Sequence, residues 1–256
     1  MKSMGLVTII TPSYNCGEYI KGTIDSVIAQ TYGNWEMIIV DDCSTDNTKE
    51  IVSRYSDTRI KYYCLERNSG AAAARNKALS LAKGQWVAFL DSDDLWLPNK
   101  LERQLDFMIR NEISFSYHRY SEISESGEEL GVEVGGLGKV SKFQMFSCCW
   151  PGCLSVMYDR EKIGLIEIKN VKKNNDTAIW LKVIKKTPCY LLNENLARYR
   201  RRKGSITPPG IFKRIWAHYP LFRIAEEMNP VEASFWTVLN VFGNAYKKAF
   251  FVKKNR

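Results

Sequence analysis

An acidic tetrapeptide, Asp91-Ser92-Asp93-Asp94, ends an apolar run of the sequence. Two carboxylates separated by one residue can reach one divalent cation, because alternate residues of an extended segment face the same side. Carboxylate oxygens are hard ligands that suit Mg2+ or Mn2+, and such an ion would neutralise charge that develops on a departing diphosphate. Asp91 and Asp93 are therefore the candidate metal ligands. The alternative is a polar turn before a capped helix, since acidic turns are common.

Three further side chains have the chemistry of a nucleotide site. Asp42 ends another apolar run, and its carboxylate could accept a hydrogen bond from a base N–H or a ribose hydroxyl. Tyr14, after Pro12, could stack on a base. Arg75, near the start of a predicted helix, is placed to meet a phosphate. Taken singly, a capping carboxylate, a packed surface ring and a solvated arginine are equally good interpretations.

The segments that must position these residues alternate between two periodicities. Apolar runs predict buried strands over Leu6–Tyr14 and Trp35–Asp42, and two further strands are predicted over Ile60–Leu65 and Trp86–Asp94. Helical spacing predicts helices over Gly17–Gln30 and Ala71–Ala82, and another from Pro98. This alternation predicts a parallel sheet of βαβ units. The polar candidates follow the carboxyl ends of the strands, which is where open α/β sheets bind ligands.

Beyond residue 112 the pattern is less regular. It predicts strands at Ile113–Tyr120, Leu154–Tyr158 and Cys189–Tyr199, a helix at Asn175–Lys186, and a mobile loop or hairpin at Ser121–Gly138. The last 45 or so residues are predicted to be helical, with clustered Lys, Arg and aromatic residues. Length and composition suit one α/β domain, or one domain with an appendage.

Four motifs in the first hundred residues resemble, in order, those of the family-2 inverting glycosyltransferases, in particular the bacterial O-antigen and capsule type. They are TPSYN, VDDCSTDNT, NSGAAAARNKAL and FLDSDD. The resemblance continues more weakly at Gly152–Arg160, similar to the family's acceptor-side strand, and at Lys173–Lys185, similar to its catalytic-base segment. Ala197–Thr207 is similar to a later basic element of the family.

The resemblance implies a fold of the GT-A type, with a Rossmann-like, mostly parallel sheet flanked by helices and a C-terminal helical, basic extension. Residues 1–112 would form the nucleotide-sugar-binding half. Residues 113–207 would form the acceptor-binding and catalytic half of the same domain, and residues 208–256 the basic and aromatic extension.

The resemblance also implies the roles of individual residues. The nucleotide-binding set would be Pro12, Tyr14, Asp42, Arg75, Asp91 and Arg202. Asp42 would hydrogen-bond uracil or another base, Asp93 would bind Mn2+ or Mg2+, and Asp91 would contact the ribose or share the metal. Arg202 stands where the family has His, which leaves open whether Arg202 or a neighbour faces the diphosphate.

The resemblance makes Asp176 the general base. An inverting transfer is a single displacement, so a carboxylate must lie opposite the leaving diphosphate and take the acceptor's proton. Asn175 precedes it where the family usually has Glu. The alternative for Asp176 is a helix N-cap. Trp150 is predicted to stack in the acceptor cleft, and Trp180 to lie in the core.

Charge is concentrated at one end of the chain. From Ala197 onward lie 13 of the 37 Lys and Arg but only 3 of the 28 Asp and Glu. Basic, aromatic helices without a membrane-spanning run predict peripheral contact with an anionic membrane; the alternative is that these aromatic residues pack on the body. No nucleic-acid-binding motif is found. With no signal peptide and seven cysteines read as reduced thiols, the chain is predicted to be cytoplasmic.

The predicted function is transfer of a hexose from a nucleotide-sugar, UDP-glucose or UDP-galactose, to a lipid-diphosphate-linked N-acetylhexosamine in surface polysaccharide synthesis. A nucleotidyltransferase of similar fold is one alternative, although the Gly-rich, Arg-containing loop that it needs is replaced here by TPSYNCGEY. A non-catalytic nucleotide-sugar-binding protein is the other.

Overall fold

The strands belong to one mixed sheet in the computed structural model, which describes residues 4–202 and 211–254. The described strands are β1 (Val7–Ser13), β2 (Trp35–Asp41), β3 (Ile60–Cys64), β4 (Trp86–Phe89), β5 (Leu95–Trp96), β6 (Phe115–Ile123), β7 (Glu129–Val134), β8 (Lys139–Val140), β9 (Met157–Asp159), β10 (Cys189–Arg200) and β11 (Val252–Lys254). Their order along the sheet is β11-β7-β6-β9-β4-β1-β2-β3, and β10 pairs with β5, β6 and β8.

Helices cover both faces of this sheet. The described α-helices are α1 (Ile20–Ile28), α2 (Thr48–Ser53), α3 (Ala71–Leu81), α4 (Lys100–Arg110), α5 (Lys142–Ser147), α6 (Arg160–Ile163), α7 (Asn175–Ile184), α8 (Ile211–Pro220) and α9 (Pro230–Phe250). A short 3-10 turn at Cys153–Ser155 precedes β9, and a π-helical stretch at Leu221–Ala225 follows α8.

The predicted α/β fold is confirmed. β3, β2, β1 and β4 are parallel neighbours, joined by helical crossovers as the sequence predicts. From β4 outward to β9, β6, β7 and β11 each pairing is antiparallel. The short turn between β6 and β7 can only join antiparallel strands. Parallel pairing therefore dominates the first half of the chain, and the second half is mixed.

Every residue of β1 and β2 is buried, because alternate side chains enter two separate apolar layers. Ile10 and Ile38 pack on the layer that contains Phe89 and Trp180. Ile9 pairs with Met37 and packs on the opposite layer with α1 and α4. This double burial holds the carboxyl ends of the parallel strands rigidly at one edge of the sheet.

Two aromatic predictions have opposite outcomes. Trp180 is fully buried and meets Phe89 edge-on with ring centroids 4.8 Å apart, which confirms its core position. Trp150 is also buried, packs edge-on against Phe251 at 5.1 Å, and donates its indole N–H to Gln144 O at 3.1 Å. The prediction that Trp150 stacks on a sugar is therefore wrong, since neither face of its ring is open to a ligand.

The described C-terminal region is tied to the body by the strand that follows α9. Asn229 caps the N-terminus of α9 in a capping box with Glu232. After the helix, β11 adds to the edge of the sheet beside β7, with Val252 opposite Val134. The predicted loop or hairpin at Ser121–Gly138 contains the end of β6, the turn after it and the whole of β7, which pairs antiparallel with β6. None of the helices in the described residues is long and apolar enough to cross a membrane.

Candidate functional site

The loops after β1 and β2 are bonded to each other at the sheet edge. Asp42 N donates to Ser13 O at 2.8 Å, and Asn15 Oδ1 accepts from Thr45 N at 2.8 Å. Asn15 and Cys43 both have positive φ, at 47° and 65°, so each loop turns sharply where its strand ends. Pro12 lies within β1 opposite Val40. The structure thus brings the predicted Pro12, Tyr14 and Asp42 to adjacent strand ends.

Asp42 organises the next loop along the edge. Its carboxylate is 4% exposed and accepts from Ser69 N at 2.6 Å and from Gly70 N at 2.7 Å. Gly70 has φ of +91°, a conformation that disfavours any side chain. Each carboxylate oxygen keeps one lone pair for another donor. Tyr14 is 47% exposed and is free to meet a ligand.

Arg75 lies beneath the acidic motif and not at the surface. It is 5% exposed, its Nη2 lies 2.5 Å from Asp91 Oδ1, and its Nη1 donates to Asn175 Oδ1. The Cys153 thiol lies 3.6 Å from the same Asp91 oxygen. The predicted Arg75 and Asp91 are therefore in direct contact, and the contact extends to the residue before Asp176.

Asp176 begins the first turn of α7 and is half-buried. Its Oδ1 accepts from Thr177 N at 2.7 Å, and Asn174, at the N-cap position, makes no side-chain capping bond. Burial raises the pKa of Asp176, and the charge of nearby Arg75 partly offsets that rise. A carboxylate whose proton affinity is raised in this way is a better proton acceptor than an ordinary aspartate.

Asp93 meets the chain segment that follows β10. Arg202 Nε lies 2.8 Å from Asp93 Oδ2, and Arg200 Nε donates to Asp93 O at 2.9 Å. Both guanidinium groups also lie over the Tyr19 ring, at 5.3 Å for Arg200 and 5.1 Å for Arg202. The predicted Asp93 and Arg202 are thus brought together at one end of the acidic motif.

The acidic motif concentrates negative charge in a small volume. Burial, and then the charge of Asp91, raise the pKa of Asp93, whereas Arg202 lowers it. Asp94 is fully enclosed and accepts the backbone N–H of Arg200 at 2.9 Å. Burial and its two acidic neighbours raise the pKa of Asp94 well above the usual range. A cation at this position would relieve that repulsion.

The donor set fits a divalent cation that shares its coordination shell with a substrate. Across residues 4–202 and 211–254, no group of three or more His, Cys, Asp or Glu side chains is arranged to hold a metal ion. Asp91 and Asp93 have side chains that are 29% and 19% exposed. One or two carboxylates are what proteins supply to Mg2+ when phosphate oxygens and water complete the shell.

Three residues at the site are not predicted as site residues from the sequence. Asn175 is recognised there only as a departure from the usual Glu. No sequence pattern points to Tyr19 or Cys153 as site residues. Tyr19 contacts Arg202 and Cys153 contacts Asp91, and both contacts join parts of the chain that are distant in sequence.

Comparison with known families supports the same assignment as the motifs. A family model described as "Glycosyl transferase family 2" matches residues 8–144, which contain all four N-terminal motifs. The match covers more than half of the chain.

Two relatives match over nearly the whole chain. TuaG of Bacillus subtilis (strain 168), a glycosyltransferase provisionally assigned to teichuronic acid biosynthesis, is 43% identical, with 95% of this chain and 97% of TuaG covered. WfgD of Escherichia coli, a UDP-Glc:alpha-D-GlcNAc-diphosphoundecaprenol beta-1,3-glucosyltransferase, is 38% identical, with 98% and 97% covered. WfaP of Escherichia coli, with the same activity in its name, is 38% identical over 80% of each chain.

Solved structures show the same fold at low identity. S. aureus TarS 1-349 in complex with UDP-GlcNAc superposes with a TM-score of 0.70 at 20% identity, covering 96% of this chain and 73% of that one. The mannosyltransferase PcManGT from Pyrobaculum calidifontis, in complex with GDP-Man and Mn2+, gives 0.63 at 18% identity, covering 97% and 71%.

Proposed function

Because this chain belongs to glycosyl transferase family 2 and is a glycosyltransferase, we propose that it transfers a hexose from a UDP-sugar to a lipid-diphosphate-linked N-acetylhexosamine. The transfer would be inverting and would build a bacterial surface polysaccharide. UDP-glucose is the first choice of donor and UDP-galactose the second. The observation that carries the proposal is the contact of Arg75 with both Asp91 and Asn175, which joins the donor side of the site to the candidate base.

The names of relatives support the donor and the acceptor. WfgD and WfaP are named for UDP-Glc and for a GlcNAc-diphosphoundecaprenol acceptor, and WfgD aligns with almost the whole of this chain. Solved TarS structures contain UDP or UDP-GlcNAc. TuaG, at higher identity, is named for teichuronic acid biosynthesis and for neither donor nor acceptor. The support from these names is therefore broader for the UDP nucleotide than for the sugar that is transferred.

The proposed chemistry is one in-line displacement. Asp176 takes the proton of the acceptor hydroxyl as the hydroxyl oxygen attacks the anomeric carbon, and the bond from that carbon to the UDP oxygen breaks. Asp42 accepts a hydrogen bond from the base through the lone pairs that Ser69 N and Gly70 N leave free. Tyr14, with half of its surface exposed, lies at the neighbouring strand end and stacks on the base.

The departing diphosphate is met by positive groups at the acidic motif. We propose that Asp93, with Asp91, holds Mn2+ or Mg2+, which supplies Lewis-acid stabilisation of the leaving diphosphate when bound. Arg202, 2.8 Å from Asp93, then turns toward the diphosphate and takes the place of the family's His. Because Arg is always charged, it needs no protonation step to stabilise the leaving group.

A lipid-linked acceptor also implies a place of action. We propose that the enzyme works peripherally at the inner face of the cell membrane, where such an acceptor presents its diphosphate and sugar. Nucleic acid has no part in this reaction. The alternatives, nucleotidyl transfer and nucleotide-sugar binding without transfer, are disfavoured by family membership and remain as outcomes of the experiment.

The test is a donor screen on the purified full-length chain. UDP-glucose, UDP-galactose, UDP-N-acetylglucosamine and GDP-mannose are each offered with a synthetic lipid-diphosphate N-acetylglucosamine, with Mn2+ or with EDTA. The expected result is one disaccharide-lipid product and stoichiometric UDP, formed only with Mn2+. Release of pyrophosphate from a sugar phosphate and UTP would indicate a nucleotidyltransferase. Binding of UDP with no transfer to any acceptor tested would contradict the proposal.

A further inference from the structure

Helix α9 faces its polar side toward the protein and its apolar side away from it. On the inner side, Ala233, Thr237 and Asn240 are buried, and Asn240 Nδ2 donates to Phe146 O at 2.9 Å. The exposed side, here called the outer face of α9, carries large apolar side chains. These are Val231 (79% exposed), Phe235 (58%), Val238 (46%), Phe242 (63%), Tyr246 (51%) and Phe250 (69%).

The outer face is one continuous stripe and not a scatter of surface residues. Its members recur every three or four positions from Val231 to Phe250, so they lie on one side of the helix. The stripe extends sideways onto α5, because Phe143, 61% exposed, and Phe235 both pack edge-on against Trp236, at 5.6 Å and 5.3 Å. An exposed apolar stripe of this length is characteristic of an interaction surface.

Charge beside the outer face favours an anionic occupant. Lys248, Lys253 and Lys254 are exposed at its C-terminal end. The acidic residue of α9, Glu232, lies in the first turn, where it belongs to the capping box. Lys248 lies in the last turn of α9, and Lys253 and Lys254 lie in the strand that follows it. Lysines next to one end of an apolar helical face would meet acidic headgroups when that face enters the interface of a bilayer.

The inner side of α9 reaches the loop beside the candidate base. Lys247 Nζ donates to Cys149 O at 3.1 Å and to Trp150 O at 2.7 Å. Cys149 Sγ in turn accepts from Thr177 Oγ1 at 3.1 Å, one residue after Asp176. The helix is thus connected through one short loop to the turn that carries Asp176.

We propose that the outer face of α9 lies in the interface of an anionic lipid bilayer, with its aromatic side chains among the acyl chains and its lysines at the headgroups. The inference rests on the proposed function for its biological purpose, because a lipid-linked acceptor must be met at a membrane. The contact itself needs neither nucleotide nor acceptor. It would hold the loop at Cys149 and the base at a fixed position relative to the lipid headgroups.

The experiment is co-sedimentation of the full chain with vesicles, without nucleotide or acceptor. Vesicles of phosphatidylglycerol and phosphatidylcholine are compared with vesicles of phosphatidylcholine alone. Phe235→Ser with Phe242→Ser should weaken binding to the anionic vesicles by about tenfold or more. Lys248→Glu with Lys254→Glu should weaken binding at low salt and have little effect at high salt.

The matched control is Ile109→Ser with Leu165→Ser, which removes two apolar side chains of similar exposure elsewhere on the surface and should leave vesicle binding unchanged. Val231→Ser with Val238→Ser provides a second variant of the stripe. Circular dichroism and UDP titration on every preparation show whether the fold and the nucleotide site are intact. A failure of UDP binding would therefore count against the proposed function, and a failure of vesicle binding against this inference.

Three outcomes would overturn the inference. The first is no binding of the parent chain to anionic vesicles. The second is equal binding by the parent chain and both stripe variants. The third is a dimer in light scattering that the Phe235 and Phe242 changes dissociate, with no vesicle binding, because a second copy of the chain would then be the occupant.

Discussion

Arg75 Nη2 lies 2.5 Å from Asp91 Oδ1, so a buried guanidinium pairs with the first carboxylate of the acidic motif. The other terminal nitrogen of the same guanidinium bonds Asn175, 100 positions further along the chain. The Arg75 guanidinium therefore fixes the distance between Asp91, a candidate metal ligand, and Asn175, which precedes the candidate base. Such a link is a positioning device, since Arg75 itself need not touch the reacting atoms.

Replacing Arg75 with Lys should lower kcat about 100-fold or more while changing the Kd for UDP far less. Lysine keeps the charge but lacks the rigid fork that bonds two partners at once, so Asn175 and Asp176 would lose their fixed position. Steady-state kinetics and UDP titration measure the two effects. Arg54→Lys, at an exposed arginine paired with Glu50, is the matched control. A kcat within twofold of the parent enzyme would show that the link has no catalytic importance.

Asp176→Asn should abolish transfer and leave UDP–Mn2+ binding intact. Asparagine has nearly the same shape, so the turn of α7 should persist, but it cannot take a proton; the loss expected for a general base is about 10²–10⁴-fold. Single-turnover transfer and UDP titration separate chemistry from binding. Asp106→Asn, at a surface ion pair with Arg110, serves as the control. Normal turnover by the Asp176 variant would mean that another group is the base.

The pH dependence should reveal the raised pKa of Asp176. The base acts only when ionised, so kcat should fall as pH decreases, with its midpoint above the ordinary carboxyl range near 4. Stability should respond in the opposite sense. Since burial disfavours the charged form, the folded state is destabilised as pH rises from the unfolded pKa through the folded pKa. The gain in the free energy of unfolding from Asp176→Asn should therefore be larger at pH 7 than at pH 3.

Asp93→Asn should remove the effect of Mn2+ on UDP affinity. The neutral amide no longer attracts the cation, and it also loses the ion pair with Arg202. UDP titration of parent and variant, each with Mn2+ and with EDTA, gives four dissociation constants. The two constants of the variant should be nearly equal. If Mn2+ strengthens UDP binding as much in the variant as in the parent, Asp93 is not a metal ligand.

Gly243→Ala should lower the free energy of unfolding by about 1–3 kcal/mol, the usual cost of overpacking. A Cβ at this position would lie 2.0 Å from Ser147 O and 3.0 Å from Cys148 Cβ, so α9 would have to move away from α5. Urea denaturation measures the change. Gly138→Ala, where nothing lies within 4 Å of the added carbon, is the control. Equal stability of the two variants would contradict the close packing of α9.

The parallel half of the sheet could be predicted because β1, β2 and β4 are apolar runs followed by polar residues. β1 and β2 agree with prediction to within a residue at each end. β4 ends at Phe89, earlier than predicted, because Leu90 and the acidic motif leave the sheet and the short strand β5 follows. The expected division into residues 1–112, 113–207 and 208–256 stays a prediction, and its last boundary lies outside the described residues.

The sequence predicts individual residues of the candidate site but not the contacts that join them. Strand ends placed Asp42, Asp91 and Asp93 at one edge, and this local pattern is visible in the sequence. The bond from Arg75 to Asn175 depends on how α7 packs against the sheet, which no local pattern contains. The prediction that Trp150 stacks on a sugar is wrong for the same reason. No local pattern distinguishes an aromatic residue that lines a cleft from one that lies in the core.

The basic tail illustrates the same limit. Its sequence offered membrane contact or packing on the body as alternatives. In the described residues some aromatic side chains pack on the body and others are exposed. Trp236 and Phe251 pack against the body, whereas Phe235 and Phe242 are exposed. The clustered basic and aromatic residues predict helices in this region, but they do not indicate which side of a helix faces the protein.

Because Asp42 already accepts the N–H groups of Ser69 and Gly70, the order of that loop is established when the chain folds. A nucleotide bound there, as we propose, would meet a loop that is already ordered, so the conformational entropy of ordering that loop would be lost on folding and not on binding. Association with UDP should accordingly need little backbone rearrangement at this edge. Affinity for the nucleotide and stability of the protein would then both depend on the Asp42 carboxylate.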